Sequence, residues 1–143
     1  FIPELMSLVP ELKAVVDHIS KPNISKQEIE PWQSDLAEVA KIDGMYCKFS
    51  GMVTEADFSK WPDLQNQSGL VDVIAHHLAP YAGIVKSLFG IDRLIWGSDW
   101  PVCTIAVPYE VVYSAALKSL GDLQKQEKYL LMAGNAMKFY QIH

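Results

Sequence analysis

The side chains best equipped for chemistry fall in three short clusters, Asp17-His18, Lys48-Phe49-Ser50 and Ser98-Asp99. Each follows an apolar run: Ala14-Val15-Val16, Met45-Tyr46-Cys47 and Leu94-Ile95-Trp96. An ionised carboxylate within hydrogen-bond reach of a water can take its proton and so serve as a general base. A neutral imidazole keeps one ring nitrogen free, as a metal ligand or as a donor to a carbonyl. Asp99 and His18 are the candidates for these two roles. Lys48 and Ser50 share one parity and therefore one face of a strand, whereas Asp17 alternates to the face opposite His18 and reads as a structural anchor. Lys21, Glu55 and Trp100 lie in loops just past the strand ends, placed to line a pocket.

Each candidate also has a plainer reading. Aspartate before Trp-Pro is a good turn former. A histidine after three apolar residues often serves the core, Lys21 can be a solvated loop lysine, and Trp100 can pack inside. The pair His76-His77 is not read as a metal site. His77 falls on the apolar stripe of its helix and His76 off it, so the two cannot face one ion.

The elements that must hold these residues follow from periodicity. Strands are expected near residues 13–18, 45–50 and 94–98. Leu5, Leu8, Val9 and Leu12 give the first segment a helical rhythm that Pro10 interrupts. Residues 33–41 suit a helix stopped by Asp43-Gly44, and residues 54–67 are too polar and Pro-rich to be regular throughout. Leu70, Val73, Ile74, His77, Leu78 and Tyr81 repeat at helical spacing, with Pro80 read as a restart that carries on through Leu88. A helix begins near Pro108, with Val112, Ala116 and Leu120 on one face. Another spans residues 125–133, with Gly134 as its C-terminal cap and Asn135 capping a last short turn.

Strands alternating with helices argue for a parallel sheet with right-handed crossovers. In such folds ligands bind where strands finish and the following loops begin. Three strand ends of this composition therefore converge on one pocket. Three parallel strands also leave two open edges, which reads as part of a larger sheet.

Composition narrows the partners. The chain has 143 residues, half of them apolar and a fifth charged, with a net charge of −5. No cluster of Lys or Arg offers a face for phosphates, which argues against nucleic acid and anionic membranes. No apolar run approaches the roughly 20 residues of a membrane helix. Cys47 and Cys103 form no CxxC pair and read as buried reduced thiols, in keeping with a cytoplasmic address. The first residues, Phe-Ile-Pro-Glu-Leu-Met, carry neither an initiator Met nor a secretory leader and read as a chain begun in mid-protein.

Four motifs then resemble one family. Val15-Val16-Asp17-His18-Ile19-Ser20-Lys21-Pro22 is similar to the "VxDHxGKP" strand of the lactonase-type amidohydrolases, with Ser20 where Gly is usual. Tyr46-Cys47-Lys48-Phe49-Ser50-Gly51 resembles their "xxKxSG" strand. Asp92-Arg93-Leu94-Ile95-Trp96-Gly97-Ser98-Asp99-Trp100-Pro101 resembles "DRLxxGSDWP", and Gly134-Asn135-Ala136 with Phe139-Tyr140 resembles "GNAxxFY". Order and spacing agree over nearly the whole chain. The resemblance to the amidohydrolase superfamily, in its sugar-lactone hydrolase branch, implies the C-terminal half of a (β/α)8 TIM barrel. Residues 1–143 would be its sixth to eighth βα units, one partial domain.

The resemblance also assigns roles. Asp99 takes a proton from the attacking water and passes it to the leaving group. His18 binds metal in metal-dependent members or polarises the substrate carbonyl in metal-free ones. Lys21, Lys48, Ser50, Glu55 and Trp100 are implied substrate contacts. The implied cofactor is one Zn or another divalent ion, held in part by His18 and Asp99, or none. No His-x-His pair occurs in the sequence, and two ligands fall short of the three that catalytic zinc normally keeps. The leading reading is a hydrolase opening a small-molecule lactone. A decarboxylase of the superfamily and a non-catalytic half-barrel that self-associates are the alternatives. The partner is the missing N-terminal half or a second copy.

Overall fold

Three apolar runs pair as a parallel sheet in the computed structural model, which describes residues 2–9, 11–57, 59, 61 and 67–142. They are β1 (Ala14–Val16), β2 (Met45–Phe49) and β3 (Leu94–Trp96), in spatial order β1-β2-β3. The register sets Val16 beside Cys47, Cys47 beside Leu94 and Phe49 beside Trp96. The parallel arrangement expected from the alternation is present. The strands are shorter than the apolar pattern because β1 gives way at Asp17 to a tight turn and β3 stops before Gly97.

Two crossover helices connect the strands, α2 (Trp32–Ala40) and α3 (Gln67–Phe89); α1 (Ile2–Leu8) precedes β1, and α4 (Tyr109–Ser119), α5 (Lys125–Tyr129) and α6 (Asn135–Tyr140) follow β3. On β2, Met45, Cys47 and Phe49 are buried with Leu36 of α2, with Ile74, Leu78 and Val85 of α3 and with Val112 and Ala116 of α4. That single layer is the core. Tyr46, Lys48 and Ser50 alternate to the other side, where Phe139 of α6 lies 5.0 Å from the Tyr46 ring. No helix of the described residues is long and apolar enough to cross a membrane. Pro10 and the greater part of the irregular stretch around residues 58–66 lie outside the described residues, so those two expectations stay there.

Local expectations are corrected in three places. Pro80 does not restart a helix; α3 runs through it without a break. Pro80 and His76, four residues before it, are both exposed, so the helix forfeits one backbone bond on its solvent side. Gly134 is not a left-handed cap, for it has φ −58° and ψ −42° and continues a π-turn, Leu130–Gly134, into α6. Its lack of a side chain serves packing instead: a Cβ there would come within 2.9 Å of the Tyr129 ring.

Asn135 caps no helix either. It is buried, and its Nδ2 donates to the carbonyls of Ile91 and Leu94, 2.7 Å from each, tying α6 to the start of β3. Asn135→Ala strands two buried carbonyls and is expected to cost about 2 kcal/mol. A urea melt of the variant against the parent measures it, and a difference within error would remove this tie from the account.

Candidate functional site

The site is built where the three strands end. After Val16 the chain turns tightly through Asp17–Ser20, and His18, Ile19, Ser20 and Lys21 all adopt left-handed backbone, with φ of 48°, 46°, 62° and 51°. Left-handed conformation costs a non-glycine residue roughly 1–2 kcal/mol, so a run of four is held by its surroundings. The turn carries His18 over the end of β2. There its Nδ1 lies 2.9 Å from Ser50 Oγ, and Ser50 is itself buried.

Gly51 forms the bed of the imidazole. Its φ is +68°, and a Cβ on it would stand 2.7 Å from both Cγ and Nδ1 of His18. Gly51→Ala is expected to lift the ring off Ser50, because the added Cβ occupies the place of the imidazole. Imidazole nitrogen NMR on the variant gives the answer; unshifted His18 resonances would mean the ring has another rest.

Asp99 arrives from the end of β3, also left-handed at φ 62°, a conformation aspartate tolerates better than most residues. The turn after it is closed without its side chain. Cys103 N–H donates to the Asp99 carbonyl at 2.9 Å, and Trp100 N–H donates to Ser98 Oγ at 3.1 Å. The Asp99 carboxylate faces His18, with Oδ1 3.5 Å from Nε2. His18 is 26% exposed and Asp99 18%, sheltered but open to a small molecule.

Asp17 joins this cluster, against the expectation of an opposite face. Strand alternation ends at Val16, so the turn swings its carboxylate back, with Oδ2 3.5 Å from His18 Nε2 and Oδ1 3.3 Å from Lys48 Nζ. Lys21 Nζ pairs with Glu55 Oε1 at 2.8 Å, joining the loops that follow β1 and β2. The hydrogen bond and charge of Glu55 hold the Lys21 ammonium protonated above its ordinary range, with a smaller contribution from the Asp99 charge.

Trp100 is no core residue, being 68% exposed beside Asp99. Both cysteines are free and buried, and burial pushes the Cys47 thiol up to about 12. His76 and His77 are both exposed, and His77 Nδ1 meets the Val73 carbonyl at 2.8 Å; the expected apolar-stripe position of His77 is not realised.

The donor set can be tested against zinc. His18 Nε2 and Asp99 Oδ1, 3.5 Å apart, have nearly the spacing of two ligands bonded at roughly 2.0–2.2 Å to one tetrahedral ion. Among the described residues, however, no group of three His, Cys, Asp or Glu side chains has a geometry that could hold a metal ion. Two donors do not make a catalytic zinc site, and the residues of this chain alone do not fit the ion.

Comparison with known proteins places these features. The amidohydrolase family model matches residues 2–142. The L-fucono-1,5-lactonase of Burkholderia ambifaria is 37% identical over 108 residues, which are 73% of this chain and 33% of that protein. An amidohydrolase from Burkholderia multivorans, crystallised with bound HEPES, superposes on 99% of this chain and 50% of its own, with a TM-score of 0.78 and 28% identity. A second crystal form with bound zinc gives a TM-score of 0.77 at the same identity, over 49% of that chain. The chain thus spans about a third of the length of the curated lactonase and half of the solved barrel.

Proposed function

The chain belongs to the amidohydrolase family, half of whose barrel it superposes on, and from that premise we propose that the complete protein hydrolyses a sugar lactone to the open hydroxy acid. The observation that carries the reading is the approach of Asp99 Oδ1 to His18 Nε2, 3.5 Å apart at the ends of different strands. Asp99 takes a proton from a water, and the water oxygen bonds to the lactone carbonyl carbon. His18, held by Ser50, donates from Nε2 to the carbonyl oxygen as it gains charge. The ring C–O bond then breaks, and the proton on Asp99 passes to the leaving alkoxide. Lys21, Lys48, Glu55 and Trp100 are the substrate contacts of this reading, whereas Ser50, buried against His18 Nδ1, orients the imidazole in place of the substrate contact expected from the sequence. The identity to a named lactonase favours this chemistry over decarboxylation.

Residues 1–143 are assigned to the sixth to eighth βα units, and the open edges of β1 and β3 accept the remaining strands of the barrel. His18 and Asp99 are the two residues of this chain that would contribute to a divalent metal site in the complete protein, and its remaining ligands would have to come from outside these residues. Buried free thiols accord with a cytoplasmic setting.

The test is acid release by the complete gene product from L-fucono-1,5-lactone and other aldonolactones, followed at constant pH. Turnover well above the spontaneous rate supports the reading. A spontaneous rate throughout the series overturns it.

A further inference from the structure

We propose that Trp32 is a positioning residue for His18, acting through the Ile19 carbonyl. The reasoning starts from the backbone. Four successive non-glycine residues in left-handed conformation do not sustain themselves and persist only where their surroundings over-determine them. One restraint is internal, a hydrogen bond from Lys21 N–H to the His18 carbonyl at 2.8 Å. On the backbone of the turn, a restraint from outside comes from the Trp32 indole, whose Nε1–H donates to the Ile19 carbonyl at 2.7 Å, beside the side-chain contacts of Ser50 with His18 and Glu55 with Lys21.

Both ends of that bond are anchored. The Ile19 side chain is fully buried, so the residue next to His18 cannot swing. Trp32 opens α2, and its ring packs against Tyr81 of α3 with centroids 5.5 Å apart and planes at 58°. Tyr81 is buried in turn, and its hydroxyl donates to the Glu28 carbonyl at 3.3 Å. Two crossover helices therefore fix an indole, the indole fixes a carbonyl, and that carbonyl belongs to the Ile19–Ser20 peptide, one residue beyond His18. Ser50 and Gly51 hold the imidazole from the other side. Without the indole N–H, the Ile19 carbonyl loses its fixed partner, the turn shifts toward ordinary backbone within its remaining restraints, and Nε2 is displaced from its place beside Asp99. Trp32 touches no reacting atom.

The rate consequence rests on the proposed hydrolysis; the effect on the histidine does not. The experiment uses Trp32→Phe in the complete gene product, which keeps an aromatic ring against Tyr81 and removes the donor. The expected result is a kcat lower by about tenfold with KM within about twofold, because misaimed chemistry is lost and ground-state binding is not. Imidazole nitrogen NMR should show the His18 resonances shifting from their parent positions. Adding Ser20→Gly, which enters left-handed backbone without a steric penalty, should recover much of the lost rate. Unchanged kcat with unchanged His18 resonances overturns the proposal. So does a rate that falls only in step with a lowered melting temperature and is not rescued by Ser20→Gly, since Trp32 is then simply core. Should the parent protein show no lactonase activity, the hydrolase reading fails, and the His18 resonances alone decide the role of Trp32.

Discussion

Asp99→Asn in the complete gene product is expected, under the proposed hydrolysis, to lower lactone turnover by roughly two orders of magnitude or more, the scale of general acid–base catalysis. Asparagine keeps the size and most of the hydrogen-bonding shape of the side chain while removing its charge and basicity. The fold should scarcely register the change. The turn beyond β3 is closed by the Asp99 carbonyl and by Ser98 Oγ, not by the Asp99 carboxylate. The melting curve should therefore move by less than about 0.5 kcal/mol. A turn-forming aspartate would show the reverse pattern, with activity kept and about 1 kcal/mol of stability lost. A rate and a melt on one sample separate the two roles, and retained turnover would end the case for Asp99 as the base.

What the sequence made legible were features set by short-range pattern. Buried parallel strands read as apolar runs, and polar residues break those runs where the strands end, so β1, β2, β3 and the convergence of His18, Ser50 and Asp99 could be expected. The stripe of α3 was legible for the same reason, since Leu70, Ile74, Leu78 and Tyr81 are all buried. Features decided by distant contacts were not. Asp17 joins the site only because the left-handed turn cancels strand alternation, and no local rule foretells four such residues without glycine. Gly134 and Asn135 match the composition of a helix end, yet Gly134 lies helical under the Tyr129 ring and the carbonyls of Ile91 and Leu94 claim the amide. Trp32 and Gly51 serve His18 through a carbonyl and a ring contact. Gly51 stands in the sequence only as the last letter of a motif, and Trp32 leaves no mark in residue type or spacing.

Arg93 shows the same limit, and its replacement by lysine is expected to cost about 3 kcal/mol, the largest stability effect anticipated here. In the sequence it is one letter of a motif that ends in Asp99. In the fold its guanidinium works at the other end of β3, half-buried among backbone carbonyls. Nε donates to Phe89 and Nη2 to Leu88, at 3.0 and 3.2 Å, and Nη1 donates to Ala40 and Met45, at 2.9 and 3.4 Å. Phe89 and Leu88 end α3 and Ala40 ends α2, so these are carbonyls that a helix terminus leaves without partners, in the negative field of its dipole. One planar cation thus closes two helices and the start of β2. Lysine keeps the charge but offers a single compact head that cannot span the group. Because this joint lies at the end of the sheet away from His18 and Asp99, its loss should appear in the denaturation midpoint and leave kcat of the remaining folded protein near the parent value. Exposed Asp92 supplies the control, with Asp92→Asn within about 0.5 kcal/mol. If Arg93→Lys melts like that control, the four carbonyls find other donors, and the guanidinium is not what joins α2, α3 and β2.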